Sequence, residues 1–243
     1  MKYIDLKGEV VESGSEWLYD WYGIQATSPK MIQRALNQAM GDDVTIRINS
    51  GGGSVFAGCD IYNMLKTYEG NVNIEIHGLC ASIAGVIAMA GKTKMSPVAQ
   101  FMIHNVSCKS QGDYRDMEHA AETLKKANKT IANAFILKTG MSEEDAKKLM
   151  DNETWLTADE CLELGLVDEI MYSNENFDSS MVNILRNQAT TMCNSISLSS
   201  DIVNKFKNYK PTNVQPKNNE VDFFMQQKAK AKLNLLNLKR SVE

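Results

Sequence analysis

Strand-like and helix-like segments alternate along the first part of the chain, and this order constrains its fold more than any other feature. Residues 44–48 and 72–76 alternate polar and apolar side chains, as strands do. Apolar residues recur at helical spacing between these two segments, and again after the second one. Residues 101–103 then form a short apolar segment typical of a buried strand. A β-α-β-α-β order favours parallel strands joined by helical crossovers, so we predict an α/β fold for residues 1–172.

Capping residues delimit the helices that follow. An apolar stripe predicts a long helix over residues 116–138, and Gly140 ends it. Ser142 is placed to cap a second helix whose first turn is acidic. Thr157 and Glu160 have the spacing of a capping box for a third helix.

Composition indicates a globular intracellular protein. Of the 243 residues, 43% are hydrophobic, which is enough to bury a sizeable core. The five cysteines are scattered without a C-x-x-C pair, so we expect free thiols in a reducing compartment, the cytoplasm. The first residues lack the apolar core of a signal peptide, and the apolar stretch 81–90 is about half the length that a bilayer requires.

Charge is distributed unevenly between the two parts of the chain. Residues 1–180 carry a net charge of −10, and residues 181–243 carry +6. Asparagine and serine become frequent after Tyr172, and basic residues accompany leucines after residue 220. We therefore predict a domain at 1–172, a flexible polar linker at 173–219 and a basic helix at 220–243. So few basic charges favour a solvated face or a partner-docking helix over nucleic-acid binding.

Three elements could together support acyl transfer. Ser82 lies in an apolar helical run, and His104 ends a second apolar run. Ser82 could attack a carbonyl, His104 could take its proton, and the backbone N–H groups of Gly53 and Ile83 could hold the oxyanion. The glycine loop 49–54 lacks the G-K-[ST] of a nucleotide site, and no cluster has metal-ligand spacing, so we expect neither cofactor nor metal.

Simpler interpretations exist for the same residues. Ser82 could be a small residue in a tight packing position, and His104 could be a buried histidine bonded to a carbonyl. Cys80 is close enough to suggest a thiol nucleophile, although a buried cysteine usually behaves as a small hydrophobe. Ser82 lies outside a G-x-S-x-G motif, which disfavours an α/β-hydrolase.

Four motifs in order resemble those of the Clp-type serine peptidases. Residues 48–53 are similar to the I-N-S-P-G-G loop of that family, with glycine in place of proline. Ala81-Ser82 lies at the position of its nucleophile, and Met102-Ile103-His104 matches its histidine motif. Gly165-Leu166-Val167-Asp168 matches its G-L-V-D segment.

The resemblance implies a fold, an activity and an assembly. The fold would be a crotonase-like ββα superhelix, with the helix at 116–138 as a protruding handle that joins two homo-oligomeric rings around a chamber. The activity would be serine endopeptidase, with a Ser-His-acid triad. The family's catalytic aspartate aligns with Glu153. Asp151 is the alternative acid if the alignment is shifted by two residues. The family's proline after the histidine segment is absent, and Asn105-Val106-Ser107 stands there instead.

Three features look closer to the phage head maturation proteases of this family: the segment 19–24, the triple glycine and the long tail. That branch implies capsid or scaffold polypeptides as substrates and the host cytoplasm as location. An ATP-driven AAA+ unfoldase is a further candidate partner. Two alternatives remain open at this point: a crotonase-type enzyme acting on acyl-CoA, and an inactive assembly subunit.

Overall fold

A computed structural model of the chain describes residues 2–172, and the linker and basic helix predicted at 173–219 and 220–243 lie outside the described residues. The strands are β1 (Lys2–Val10), β2 (Ala26–Thr27), β3 (Val44–Gly53), β4 (Val72–Ala81), β5 (Lys92–Met95), β6 (Gln100–Ile103), β7 (Thr154–Leu156) and β8 (Glu169–Ile170). The helices are α1 (Glu16–Tyr22), α2 (Pro29–Ala39), α3 (Val55–Lys66), α4 (Ile83–Ala88), α5 (Tyr114–Thr139), α6 (Glu143–Asp151) and α7 (Ala158–Glu163).

The described strands form one sheet in which the pairing is mostly parallel. Its main path runs β2-β1-β3-β4-β5-β8, and every pair along this path is parallel. The predicted α/β class and the helical crossovers are thus confirmed. The pattern of β3 and β4 explains the core, because Ile46, Ile48, Ile74 and Ile76 are fully buried on the face that the helices cover.

The other face of the sheet is polar and charged. Arg47 on β3 pairs with Asp5 on β1 at 2.8 Å, and Lys94 on β5 pairs with Glu169 on β8 at 2.8 Å. The alternation that predicted these strands therefore separates a helix-covered face from a polar one.

No helix between residues 2 and 172 is both long and apolar enough to cross a membrane.

Strand β4 changes its partner along its length, and this change creates the site. Its first half pairs with β5, and its last residues, Leu79–Ala81, pair with β6. Strand β6 then pairs antiparallel with β7. Ser82 directly follows β4 and His104 directly follows β6, so parallel pairing brings both to the same edge of the sheet.

Most predicted helix boundaries are confirmed. Gly140 ends α5 in the left-handed conformation, Ser142 caps α6, and Thr157 with Glu160 forms the capping box of α7. Strand β8 begins only at Glu169, because the N–H groups of both Leu166 and Val167 bond to the Cys161 carbonyl and hold a turn before it.

Candidate active site

Ser82 occupies a strained turn between β4 and α4. Its backbone lies at φ 57° and ψ −130°, a conformation that L-residues other than glycine seldom adopt. Its N–H is bonded to the Met102 carbonyl at 3.0 Å, so β6 helps to hold the turn. Strain of this kind persists where the surrounding structure enforces it, and such positions are concentrated at functional sites.

The imidazole of His104 is within hydrogen-bond reach of the Ser82 hydroxyl. His104 Nε2 lies 2.7 Å from Ser82 Oγ, and both residues are half-buried. A nucleophile and its general base require this distance, and the contact leaves Nδ1 available for an orienting acid. The two residues are 22 positions apart in the chain, and the fold brings them together.

The glycine loop packs directly against the Ser82 turn. Gly52 has φ +93°, and a Cβ built on it would lie 2.7 Å from Ser82 Cβ and 2.8 Å from the Ala81 carbonyl oxygen. Gly53 has φ +145°, and a Cβ built on it would clash with the Val10 carbonyl oxygen on β1. The absence of a side chain at Gly52 allows the loop to approach the nucleophile, and its absence at Gly53 allows the loop to pack on β1.

A small cavity of about 60 Å³ contains the predicted reactive groups. Its lining residues are Gly53, Val55, Ser82, Ile83, His104, Val106, Ser107 and Ile131. Both residues predicted to form the oxyanion hole, Gly53 and Ile83, therefore line the same cavity as Ser82 and His104. Val55, Val106 and Ile131 contribute apolar side chains to the remaining walls.

Glu153 directly precedes β7, the strand that pairs with β6 just before His104. Strands β6 and β7 pair Ile103 with Thr154, and His104 and Glu153 are the residues that directly flank this pair. Glu153 is exposed and has φ 46°. Within residues 2–172, its carboxylate forms no hydrogen bond with the His104 ring, although the two residues flank adjacent strands.

Asp151, the alternative acid, is engaged elsewhere. Its Oδ1 accepts a hydrogen bond from Asn105 Nδ2 at 2.9 Å, and Lys147 forms an ion pair with it. These two contacts hold the pKa of the Asp151 carboxyl below its usual value, the hydrogen bond from Asn105 having the larger effect. Asp151 thus anchors the segment that follows His104.

Cys80 has the properties of a core residue. It is fully buried on β4, and burial raises the pKa of its thiol well above the ordinary value, with a further contribution from Cys161. A thiol with so high a pKa supplies little thiolate at neutral pH, which argues against the thiol-nucleophile interpretation.

Across residues 2–172, no group of three or more His, Cys, Asp or Glu side chains is arranged to hold a metal ion.

Three residues of the cavity carry little or no functional signal in the sequence. Ile131 belongs to the apolar stripe of α5, whose spacing predicts a core position, while Val55 and Val106 have no distinctive motif. The absence of the family's proline near Val106 is the one available signal. These residues become recognisable only when the cavity is assembled.

Sequence comparisons match this chain to one family of known proteins. The sequence profile described as Clp protease matches residues 27–174. The "ATP-dependent Clp protease proteolytic subunit 1" of Chlamydia abortus is 33% identical over 138 residues, which are 55% of this chain and 72% of the relative. The corresponding subunit of Porphyromonas gingivalis is 34% identical over 137 residues, or 55% and 62%. That of Chlamydia muridarum is 31% identical over 158 residues, or 63% and 76%.

Proposed function

The chain belongs to the Clp protease family and is a serine-type endopeptidase, and we propose that Ser82, His104 and Glu153 are its catalytic triad. Its α/β architecture with a parallel sheet is the Clp protease fold, consistent with a crotonase-like superhelix. The observation that supports the catalytic roles most directly is the 2.7 Å distance between Ser82 Oγ and His104 Nε2.

The proposed reaction follows from the placement of these groups. Ser82 Oγ attacks the scissile carbonyl while His104 Nε2 takes its proton, and His104 then protonates the leaving amine. The N–H groups of Gly53 and Ile83 bind the oxyanion of the tetrahedral intermediate. Water repeats the sequence on the acyl-enzyme, with His104 as base, and regenerates the Ser82 hydroxyl.

Covalent labelling tests whether His104 activates Ser82. A fluorophosphonate probe should modify the wild-type protein at Ser82, with loss of the fluoride and formation of an Oγ–P bond. His104→Ala should slow this labelling at least about a hundredfold, because the hydroxyl then lacks its base. Mass spectrometry of the peptide carrying Ser82 identifies the adduct. An adduct at another serine, or equal labelling of His104→Ala, would contradict the proposed roles.

Glu153 is the proposed orienting acid. A carboxylate at this position can bond His104 Nδ1 and stabilise the imidazolium once a bound substrate has ordered the site. We expect Glu153→Gln to lower kcat about a hundredfold or more, since a neutral amide stabilises the imidazolium poorly. Rates of peptide hydrolysis are the measurement.

Asp151→Asn is the matched control for this prediction, because it changes a neighbouring carboxylate in the same way. It should reduce kcat much less than Glu153→Gln, since Asp151 contacts Asn105 rather than the histidine ring. A larger loss for Asp151→Asn would reassign the acid to Asp151.

The proposed assembly is a homo-oligomeric ring that acts on polypeptides in the cytoplasm. Support comes from α5, whose first half is largely exposed and presents Tyr114 and Met117 to solvent. The relatives are named as ATP-dependent, and a AAA+ unfoldase is therefore the further partner that we propose. Four free cysteines among the described residues accord with a reducing compartment.

The proposed biological role is phage or prophage capsid maturation, with capsid or scaffold polypeptides as substrates. Its support is the sequence resemblance of residues 19–24 and of the triple glycine to that branch. The family match ends at residue 174, and the 243-residue chain therefore carries a long segment beyond the protease domain. The acyl-CoA alternative is disfavoured, because that chemistry has no use for the Ser82–His104 pair.

A further inference from the structure

The segment after His104 is held by a side chain from a distant helix. The N–H of Val106 donates a hydrogen bond to Asn128 Oδ1 on α5, at 2.7 Å. This is a short bond for an amide donor and a neutral acceptor. A proline at position 106 would have no N–H and could not form it, so the bond depends on the departure from the family pattern seen in Asn105-Val106-Ser107.

Asn128 lies close to the catalytic cavity along its own helix. Ile131, one helical turn later on α5, lines the cavity together with Val106 and His104. Helix α5 therefore forms part of the cavity wall and also holds the loop that continues from the histidine. On the other side of this loop, Asn105 is bonded to Asp151 at the end of α6. The segment 104–106 is thus anchored from two directions.

We infer that Asn128 is a positioning residue for His104, acting through the Val106 backbone. The Ser82–His104 contact is 2.7 Å, and a shift of about 1 Å at the histidine would remove proton transfer from reach. A proline stiffens a loop by fixing φ, whereas this chain restrains the same position with a hydrogen bond. The inference rests on the proposed roles of Ser82 and His104.

Two substitutions at one position separate the acceptor from the bulk of the side chain. Asn128→Leu removes the oxygen at similar size, and Asn128→Asp retains it. We expect Asn128→Leu to lower kcat about tenfold with KM within about twofold of wild type, while Asn128→Asp keeps most of the activity. Asn133→Leu, an exposed change on the same helix, is the matched control and should behave as wild type.

A double-mutant cycle tests the partner. Val106→Pro removes the donor, so adding Asn128→Leu in that background should lower kcat no further. Thermal unfolding of each variant reports on folding. If Val106→Pro does not fold, the comparison of Asn128→Leu with Asn128→Asp decides the question by itself.

Several results would overturn the inference. Equal kcat for Asn128→Leu and Asn133→Leu, equal losses in Asn128→Leu and Asn128→Asp, or an undiminished effect of Asn128→Leu in Val106→Pro would each exclude it. A lowered unfolding temperature with unchanged kcat would show a purely structural role. Failure of the proposed roles of Ser82 and His104 gives a different result from failure of this inference. In that case His104→Ala would keep wild-type peptide hydrolysis and wild-type fluorophosphonate labelling.

Discussion

Replacing Ser82 with alanine should lower kcat for peptide hydrolysis by about four orders of magnitude or more, while leaving the fold intact. The hydroxyl lines the cavity and has a defined acceptor for its proton, His104 Nε2, so it can form the acyl-enzyme. Alanine also removes no buried apolar contact. Hydrolysis of a fluorogenic peptide by purified wild-type and variant protein gives the measurement.

Ser110→Ala is the matched control for Ser82→Ala. It makes the same chemical change at an exposed loop position outside the cavity, and it should hydrolyse the peptide at the wild-type rate. Size-exclusion chromatography of both variants separates lost chemistry from lost assembly. Wild-type hydrolysis by Ser82→Ala would exclude Ser82 as the nucleophile, whatever the state of the assembly.

Replacing Gly52 with alanine should lower kcat about a hundredfold and also lower the free energy of unfolding. The new Cβ would lie 2.7 Å from Ser82 Cβ and 2.8 Å from the Ala81 carbonyl, so the nucleophile turn or the glycine loop must move. A displaced turn separates Ser82 from His104 and from the oxyanion donors, and such misplacement is costly to catalysis. The positive φ adds about 1–3 kcal/mol of backbone strain.

Gly14→Ala distinguishes these two effects. Gly14 has nearly the same φ, +95°, but an added Cβ meets nothing within 4 Å. Gly14→Ala should therefore show the strain in thermal unfolding and retain its kcat. If Gly52→Ala loses no more activity than Gly14→Ala, close packing of the glycine loop on Ser82 is not required for catalysis.

Local patterns are sufficient to predict the central elements of the fold. The alternation in 44–48 and 72–76 predicts strands because side chains on a pleated strand point to opposite faces. Cap residues such as Ser142 and Gly140 predict helix ends because they satisfy backbone groups within a few residues of themselves. Strand β7, with three residues, has no such local signal, because only its pairing with β6 defines it.

The reactive residues are also recognisable from the sequence, but their relations in space are not. Motif order indicates Ser82, His104, Gly53 and Ile83, whereas a choice between Glu153 and Asp151 is beyond the motif. The structure shows Asp151 bonded to Asn105, while Glu153 and His104 flank the paired residues Ile103 and Thr154. The bond between Asn128 and Val106, 22 residues apart, has no counterpart in any local pattern.

Neighbouring residues alone are enough to establish the class of fold and the candidate nucleophile and base, because period, caps and motifs are local properties of the chain. The three-dimensional arrangement was needed to show that β4 pairs with β5 along its first half and with β6 at its end. This change of partner brings Ser82 Oγ within 2.7 Å of His104 Nε2. Distances of that kind depend on how separate strands pair and on which backbone groups pack without side chains, as at Gly52. No local pattern of residues encodes them.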